Sequence, residues 1–354
     1  MTGPSEIAPK FLAYLRDQLG GAVEFAEEPA ALSGGYETAI YAVQLNGAPP
    51  EFAGPLVLRL YPAFVDPARA IYEKVVHETL VAGGFPAPRV LLARADTETL
   101  GGGFLVMERL RGTPLLEDFF QFSTFLQLKT RAFGFVARSM AQLQLRLHAV
   151  DGSQLFQALR AAGLPDSAPP YRVATRLASF EGRLEQLAAR AQGANLAGLA
   201  AGIDWALTSR PDDREEVLCH GDFHPLNIMS ERGQISGVID WSLATLASPA
   251  FDVGNTLMIL GLASGTGGGG LASALRRSTA KRYLGHYQKV RSLDMDAVRY
   301  YEAYRCLQSL VWAGENRIVR TKQPEVRPVP WDSPEVSGGL TARFAEISGA
   351  EVSL

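Results

Sequence analysis

Apolar residues in the first hundred positions come in short runs punctuated by glycine and proline. AIYAVQL (39–45), PLVLRLY (55–61) and GFLVMERL (103–110) are rich in β-branched, aromatic and leucine side chains, and they predict strands of a small antiparallel sheet. Between the second and third, ARAIYEKVVHETLVAGG has apolar residues near helical spacing and stops at paired glycines, which predicts a helix over that sheet. After RGTPL the period changes. From about residue 124 the chain reads as helical, with Val136, Met140, Leu143 and Leu147 at spacings of four, three and four on one face. Further helices are predicted at about 172–208, 250–263, 271–290 and 295–320. VLCHGDFHPLNIMS and QISGVIDW interrupt them and read as a strand, a loop and a second strand.

This pattern predicts an α+β, bilobal chain. Residues 1–110 form an N-terminal lobe of antiparallel sheet with one main helix, and residues 111–354 a larger, mainly helical lobe, joined near residues 107–114. A cleft between lobes is the expected ligand site. Two stretches are expected to be mobile: GLASGTGGGG (261–270), with little side chain to pack, and the proline-rich TKQPEVRPVPWDSPEV (321–336).

Composition narrows the function. The 354 residues are 47% hydrophobic with a net charge of −3 and interspersed signs, so a large core is available and no basic field exists to gather nucleic acid or anionic lipid. No uncharged apolar run approaches the roughly 18 residues of a membrane span, and MTGPSEIAPK lacks the pattern of a secretory leader. A cytoplasmic protein is expected. Cys219 and Cys306 have no disulfide or zinc-knuckle spacing and read as small buried side chains.

The chemistry concentrates in CHGDFHPLNIMSERGQISGVIDW (219–241). His220, Gly221 and Asp222, then four residues, then Asn227, match the spacing of a kinase catalytic loop, where the aspartate takes a hydroxyl proton and the asparagine holds magnesium. Asp240 ends the apolar run GVID, where a carboxylate can coordinate a magnesium ion that bridges nucleotide phosphates. Asn227 and Asp240 would be a sufficient protein shell, since magnesium takes the rest of its ligands from phosphate and water. An alternative reading puts zinc on His220, Asp222 and His224, alternate residues of an extended segment, but no further ligand suggests itself.

With Trp241 after Asp240, this stretch resembles the aminoglycoside phosphotransferase and choline kinase-like family, which has the protein-kinase-like fold, a loop reading HGDxxxxN and a metal-binding aspartate in an IDW or IDF segment. LSGGYETAIYAV, LVLRLY, FLVMERLRGTPL, LHAVD and SPAFDVGN extend the likeness over most of the chain. The resemblance implies Asp222 as catalytic base, His220 as a loop-shaping residue, Asn227 and Asp240 as Mg2+ ligands, and ATP or GTP as co-substrate. His224 reads either as a loop or substrate contact or as a structural histidine. Asp252 either braces the loop amides or meets a helix dipole. Gly34 and Gly35 stand where the nucleotide loop would be, although a hairpin turn explains them equally. Glu37 and Thr38 stand about where relatives often carry Ser and Asn.

Arg59 takes the place of the phosphate-contacting lysine of kinases, with Glu78 as its expected helix partner and Glu73 as the other candidate. Met107, Glu108 and Leu110 occupy the hinge that would hold the purine. The expected activity is phosphoryl transfer to a hydroxyl of a small molecule of the aminoglycoside, macrolide or choline type. The alternative is a nucleotide-binding pseudokinase, favoured by Arg59 and the altered glycine loop. Residues 301–335 hold five acidic and five basic residues, a balance that argues against a highly charged acceptor. Tyr300, Tyr301, Tyr304, Trp312 and Trp331 read as an aromatic acceptor wall or as core.

Overall fold

The fold is α+β and bilobal. The computed structural model describes residues 4–32, 38–117, 126–164, 180–212, 215–262, 270–324 and 326–354. One unit comprises Met1–Arg111, Ser153–Thr175 and Ser236–Ile239, the other Gly112–Gly152, Arg176–Ile235 and Asp240–Leu354.

The first unit holds α1 (Pro4–Leu19), β1 (Glu24–Ala31), β2 (Ala39–Asn46), β3 (Leu56–Leu60), α2 (Arg69–Ala82), β4 (Val90–Arg94) and β5 (Phe104–Glu108). Its five strands are antiparallel in the order β1-β2-β3-β5-β4. Register puts Leu58 opposite Tyr41 and Val106, and Arg59 opposite Ile40 and Leu105. Because side chains alternate along a strand, Leu56, Leu58 and Leu60 share one core with Phe104, Val106 and the Ile7, Phe11 and Leu15 of α1. Tyr61 lies in a second cluster with Leu105, Met107 and Ala70 of α2. The central strand is therefore buried on both sides, and each large apolar side chain so covered contributes about 1.5–3 kcal/mol. Sequence periodicity had not singled out α1, which begins at Pro4 and contains Pro9.

The second unit begins with β6 (Thr113–Pro114) and α3 (Leu126–Leu147). The stripe Val136, Met140, Leu143 and Leu147 is buried throughout, as the spacing requires. α4 (Ser153–Ala161) belongs to the first unit, where it packs on α2. In the stretch expected to be helical at about 172–208, the described residues form α5 (Phe180–Gly193) and α6 (Ala200–Thr208); Asn195, with φ of 51°, lies in the break between them. There follow β7 (Val217–Cys219), β8 (Ile228–Glu231), β9 (Gln234–Val238), whose residues from Ser236 on belong to the first unit, β10 (Thr245–Ala247), α7 (Pro249–Leu262), α8 (Gly270–Gln288), α9 (Met295–Lys322) and α10 (Pro334–Ser348). β7 pairs with β10 and β6 with β8, both antiparallel. α7 and α9 cross closely at Gly254, where a Cβ would stand 2.7 Å from the Val298 carbonyl oxygen.

The proline-rich stretch is a correction to the sequence reading. α9 runs on to Lys322, Trp331 is buried, and Asp332 is gripped by Arg317 and Arg320. Ser333 caps α10 by accepting from the Val336 amide, and Pro334 takes the first helical position, where its missing N–H is no loss. Of the glycine-rich stretch, residues 263–269 lie outside the described residues. Among the described residues no helix is long and apolar enough to cross a membrane.

Candidate active site

The loop after β7 is held by side chains of α7. Asp252, in the first turn, accepts the Gly221 amide on Oδ1 at 2.8 Å and the His220 amide on Oδ2 at 3.1 Å. Asn255 Nδ2 donates to the Gly221 carbonyl at 3.2 Å, and Thr256 Oγ1 to the Phe223 carbonyl at 3.0 Å. Behind the carboxylate, His148 Nε2 lies 3.1 Å from Asp252 Oδ2, and its Nδ1 lies 2.6 Å from the Tyr287 hydroxyl. Burial pushes the Asp252 carboxyl up, but the His148 hydrogen bond and neighbouring charge outweigh it, leaving the pKa below the ordinary carboxylate value. The brace is thus a buried carboxylate with three partners, and the loop-bracing reading of Asp252 is the one the geometry realises.

Gly221 has φ of +80°, and a Cβ there would stand 2.4 Å from the Leu243 carbonyl oxygen, so only glycine fits. The turn presents Asp222 with its carboxylate partly exposed. Oδ1 accepts from Arg305 Nη2 at 2.6 Å, and Oδ2 lies 3.4 Å from His224 Nε2. Burial alone would raise this carboxyl, but the Arg305 guanidinium and His224 hold it well below the usual carboxylate range. Asn227 Nδ2 donates to the Asp222 carbonyl at 3.0 Å, and the Asp222 amide donates to His220 Nδ1 at 3.2 Å. His220 is fully buried, its ring 4.5 Å from that of Trp241.

Asp240 has φ of +64°, a left-handed conformation that costs a non-glycine residue roughly 1–3 kcal/mol. Its Oδ1 accepts from Ser242 Oγ at 2.9 Å. Asp222 and Asp240 belong to the same unit, and the segments that carry them are neighbours: Cys219 pairs with Thr245, Gly221 abuts Leu243, and the His220 ring packs at a tilt against Trp241.

Asn227 and Asp240 fit a magnesium ion by donor chemistry. The Asn227 amide nitrogen is committed to Asp222, which leaves its oxygen as the available donor, and Asp240 offers a partly exposed carboxylate. The zinc alternative finds no support in the geometry, since His220, Asp222 and His224 are not among the described groups whose ligand atoms converge, and Asp222 is paired with Arg305. Among the described residues the group of three possible metal ligands is instead His148, Cys219 and Asp252. There the histidine and carboxylate bond to each other, and the Cys219 thiol, its pKa raised well up by burial, donates to backbone carbonyls.

In the first unit, Arg59 Nη1 bonds to Glu73 Oε1 at 3.1 Å, Tyr61 donates to Glu73 Oε2, and His77 Nε2 lies 3.9 Å from Glu73 Oε1. Burial would raise Glu73, but Arg59, His77 and Tyr61 together bring its pKa down to about 2. Glu78, the partner first expected for Arg59, is exposed and pairs with Lys74 instead. Glu73 and His77 lie one turn apart on the face of α2 turned to the sheet, and Glu78 lies on the other. In the hinge, the Glu108 and Arg109 amides donate to the Arg89 and Pro55 carbonyls, and the Glu108 carboxylate lies 3.6 Å from Arg89 Nε. Gly34 and Gly35 lie outside the described residues.

Sequence reasoning gave no site role to Arg305, His148, Asn255 or Thr256. Arg305 had a visible signal: an arginine four residues after Tyr301 and four before Ser309, on the apolar face of α9. Tyr300, Tyr301 and Tyr304 are buried around Phe180 and Phe251 as core.

A lobe of antiparallel sheet carrying a buried basic–acidic pair, and a helical lobe with an HGDxxxxN loop beside a strained aspartate, define a small-molecule phosphotransferase of the protein-kinase-like class. The chain belongs to the phosphotransferase enzyme family, whose family model matches residues 29–293. Its fold is similar to that of a candidate aminoglycoside phosphotransferase of Ralstonia eutropha, at 17% identity and TM-score 0.64, covering 98% of this chain and 99% of that one. It is also similar to aminoglycoside phosphotransferase APH(4)-Ia solved with ADP and hygromycin B, at 18% identity and TM-score 0.61, covering 96% and 99%.

Among curated proteins, human acyl-CoA dehydrogenase family member 11 is 26% identical over 184 residues, 51% of this chain and 22% of that protein. Mouse acyl-CoA dehydrogenase family member 10 is 27% identical over 205 residues, 56% of this chain and 18% of that protein. The chain thus aligns with about a fifth of the length of these relatives.

Proposed function

We propose that the chain moves the γ-phosphoryl group of ATP or GTP to a hydroxyl of a small molecule, with Asp222 as the base. The observation that carries this reading is the fixing of Asp222: its loop is tied through the His220 and Gly221 amides to Asp252, and Asn227 is bonded to its carbonyl. Phosphoryl transfer asks the protein for alignment and charge compensation more than for covalent chemistry, and a pre-set loop supplies alignment. Asp222 Oδ2, the oxygen facing His224, would receive the hydroxyl proton as the oxygen–phosphorus bond forms. Asn227 and Asp240 would hold Mg2+, which when bound supplies positive charge to the phosphate oxygens. Arg59, oriented by Glu73, is proposed to contact the nucleotide phosphates, and Met107, Glu108 and Leu110 to flank the purine. The pseudokinase alternative rested on Arg59 and on the altered glycine loop; the arginine has the helix carboxylate that a lysine would have in its place, and residues 33–37 of the loop lie outside the described residues.

The test is a mass-resolved transfer assay with nucleotide, magnesium and a panel of alcohols. Wild type should yield a product heavier by one phosphoryl group, and Asp222→Asn should lose about 100- to 10,000-fold in kcat. Transfer at an unchanged rate by folded Asp222→Asn would remove the aspartate from the mechanism.

A further inference from the structure

Arg305 is the unexpected neighbour of the base. Its side chain is only 3% exposed, yet it ends against Asp222 Oδ1 at 2.6 Å. Nη1 bonds to Gln308 Oε1 at 2.6 Å, and Cζ stands 5.8 Å from the centre of the Trp331 ring. Among the described residues its Nε is buried without a partner, as are Trp331 Nε1 and the hydroxyl of Ser309, one turn further along α9. The guanidinium and two residues of its surroundings, Trp331 beside it and Ser309 one turn along α9, thus each hold a buried polar atom without a partner, an arrangement that folding alone does not favour. Acceptors are short in the same region. Glu302 is held by Arg343, Glu315 by Arg190, and Asp332 by Arg317 and Arg320.

We propose that Arg305 is the acceptor-specificity residue, and that it reads an anionic group, carboxylate or phosphate, on the alcohol to be phosphorylated. The proposal rests on Asp222 being the base. An ammonium approaching Asp222 meets a fixed positive charge that already compensates the carboxylate, and the other described carboxylates nearby are paired. An anion that takes the place of Asp222 meets a guanidinium whose Nη2 it can share with the buried, acceptor-less Nε, a pair suited to bidentate contact. The same anion competes with Asp222 for Arg305, so the acceptor that binds correctly also frees the oxygen now bonded to Nη2. The acceptor class is hydroxylated anions, and polyamines are rejected.

The experiment uses the full chain with MgATP or MgGTP. The acceptors are hydroxy acids of increasing chain length, their methyl esters, the matching amino alcohols, and phosphate monoesters of the corresponding diols. We expect wild-type kcat/KM for the best hydroxylated anion to exceed that of its neutral and cationic counterparts by about 100-fold or more. Arg305→Gln should erase that preference, the anion losing at least about 30-fold more in kcat/KM than its neutral ester, through a raised KM, whatever the change common to both. The acid and phosphate arms identify which anion is read. Should Arg305→Gln fail to fold, the wild-type ranking alone decides. Amino alcohols turned over as well as acids, in a reaction that Asp222→Asn abolishes, would overturn the role of Arg305 and leave the phosphotransferase reading intact. An equal loss for all acceptor classes in Arg305→Gln would do the same. Transfer to no compound of any class would overturn both.

Discussion

Replacing Asp252 by asparagine keeps the shape of the brace and removes one of its two acceptor oxygens. The carboxylate serves the Gly221 amide on Oδ1 and the His220 amide and His148 on Oδ2. In either rotamer an asparagine NH2 group must face one of the two backbone amides. His148 can adapt by exchanging its ring proton, but a peptide N–H cannot. A buried amide left without an acceptor costs about 1–3 kcal/mol, and the surviving bond falls from charge-assisted to neutral strength, a further loss of about 1 kcal/mol. The expected total is about 3 kcal/mol of local stability. Hydrogen exchange followed by mass spectrometry on the peptide containing residues 217–224 should then show the His220 and Gly221 amides exchanging about 100-fold faster. Because Asp222 follows directly, kcat should fall by about 100-fold through misalignment. Unchanged exchange at those amides together with kcat within threefold of wild type would refute the brace as the element that positions the base.

Glu73→Gln tests the buried pair of the first unit. A carboxyl lowered from 4.5 to about 2 contributes stability that is present above the unfolded value and lost as pH falls toward the folded one. The full contribution is roughly 3 kcal/mol at neutral pH, with about 2 kcal/mol lost by pH 3, so urea unfolding should be distinctly less acid-sensitive in the glutamine variant. Gly221→Ala should cost about 3 kcal/mol in urea unfolding, because φ of +80° and the Leu243 carbonyl both oppose a Cβ; a stable, active alanine variant would contradict the close approach. Asp240→Asn should leave the unfolding midpoint nearly unchanged, since asparagine tolerates left-handed φ, while phosphoryl transfer drops about 100-fold at any magnesium concentration. Full activity there would detach Asp240 from the metal.

Local pattern carried much of the architecture. The stripe from Val136 to Leu147 and the alternating strands announced their buried faces, because side-chain period and burial are the same geometric fact. Choosing Glu78 over Glu73 went wrong where a helical wheel would have helped: Ala70, Glu73, His77 and Leu80 form one buried stripe of α2, whereas Glu78 sits beside Lys74 on the outer face. The stretch around Trp331 was misread because proline was weighed as a breaker and not as the first residue of α10 after Ser333. The HGDxxxxN loop was legible from spacing alone. Its support was less so, since His148, Asp252 and Tyr287 meet only in the folded chain, and the charge set against Asp222 comes from Arg305, 83 residues away.

That long separation has a consequence for biosynthesis. A ribosome adding roughly 5–20 residues per second translates Asp222 roughly 4–17 seconds before Arg305, and Tyr287 of the His148 network also arrives late. Through that interval the nascent chain carries Asp222 without the guanidinium that will meet it. The pairing therefore waits for α9, and a chain truncated ahead of α9 lacks the partner that faces Asp222.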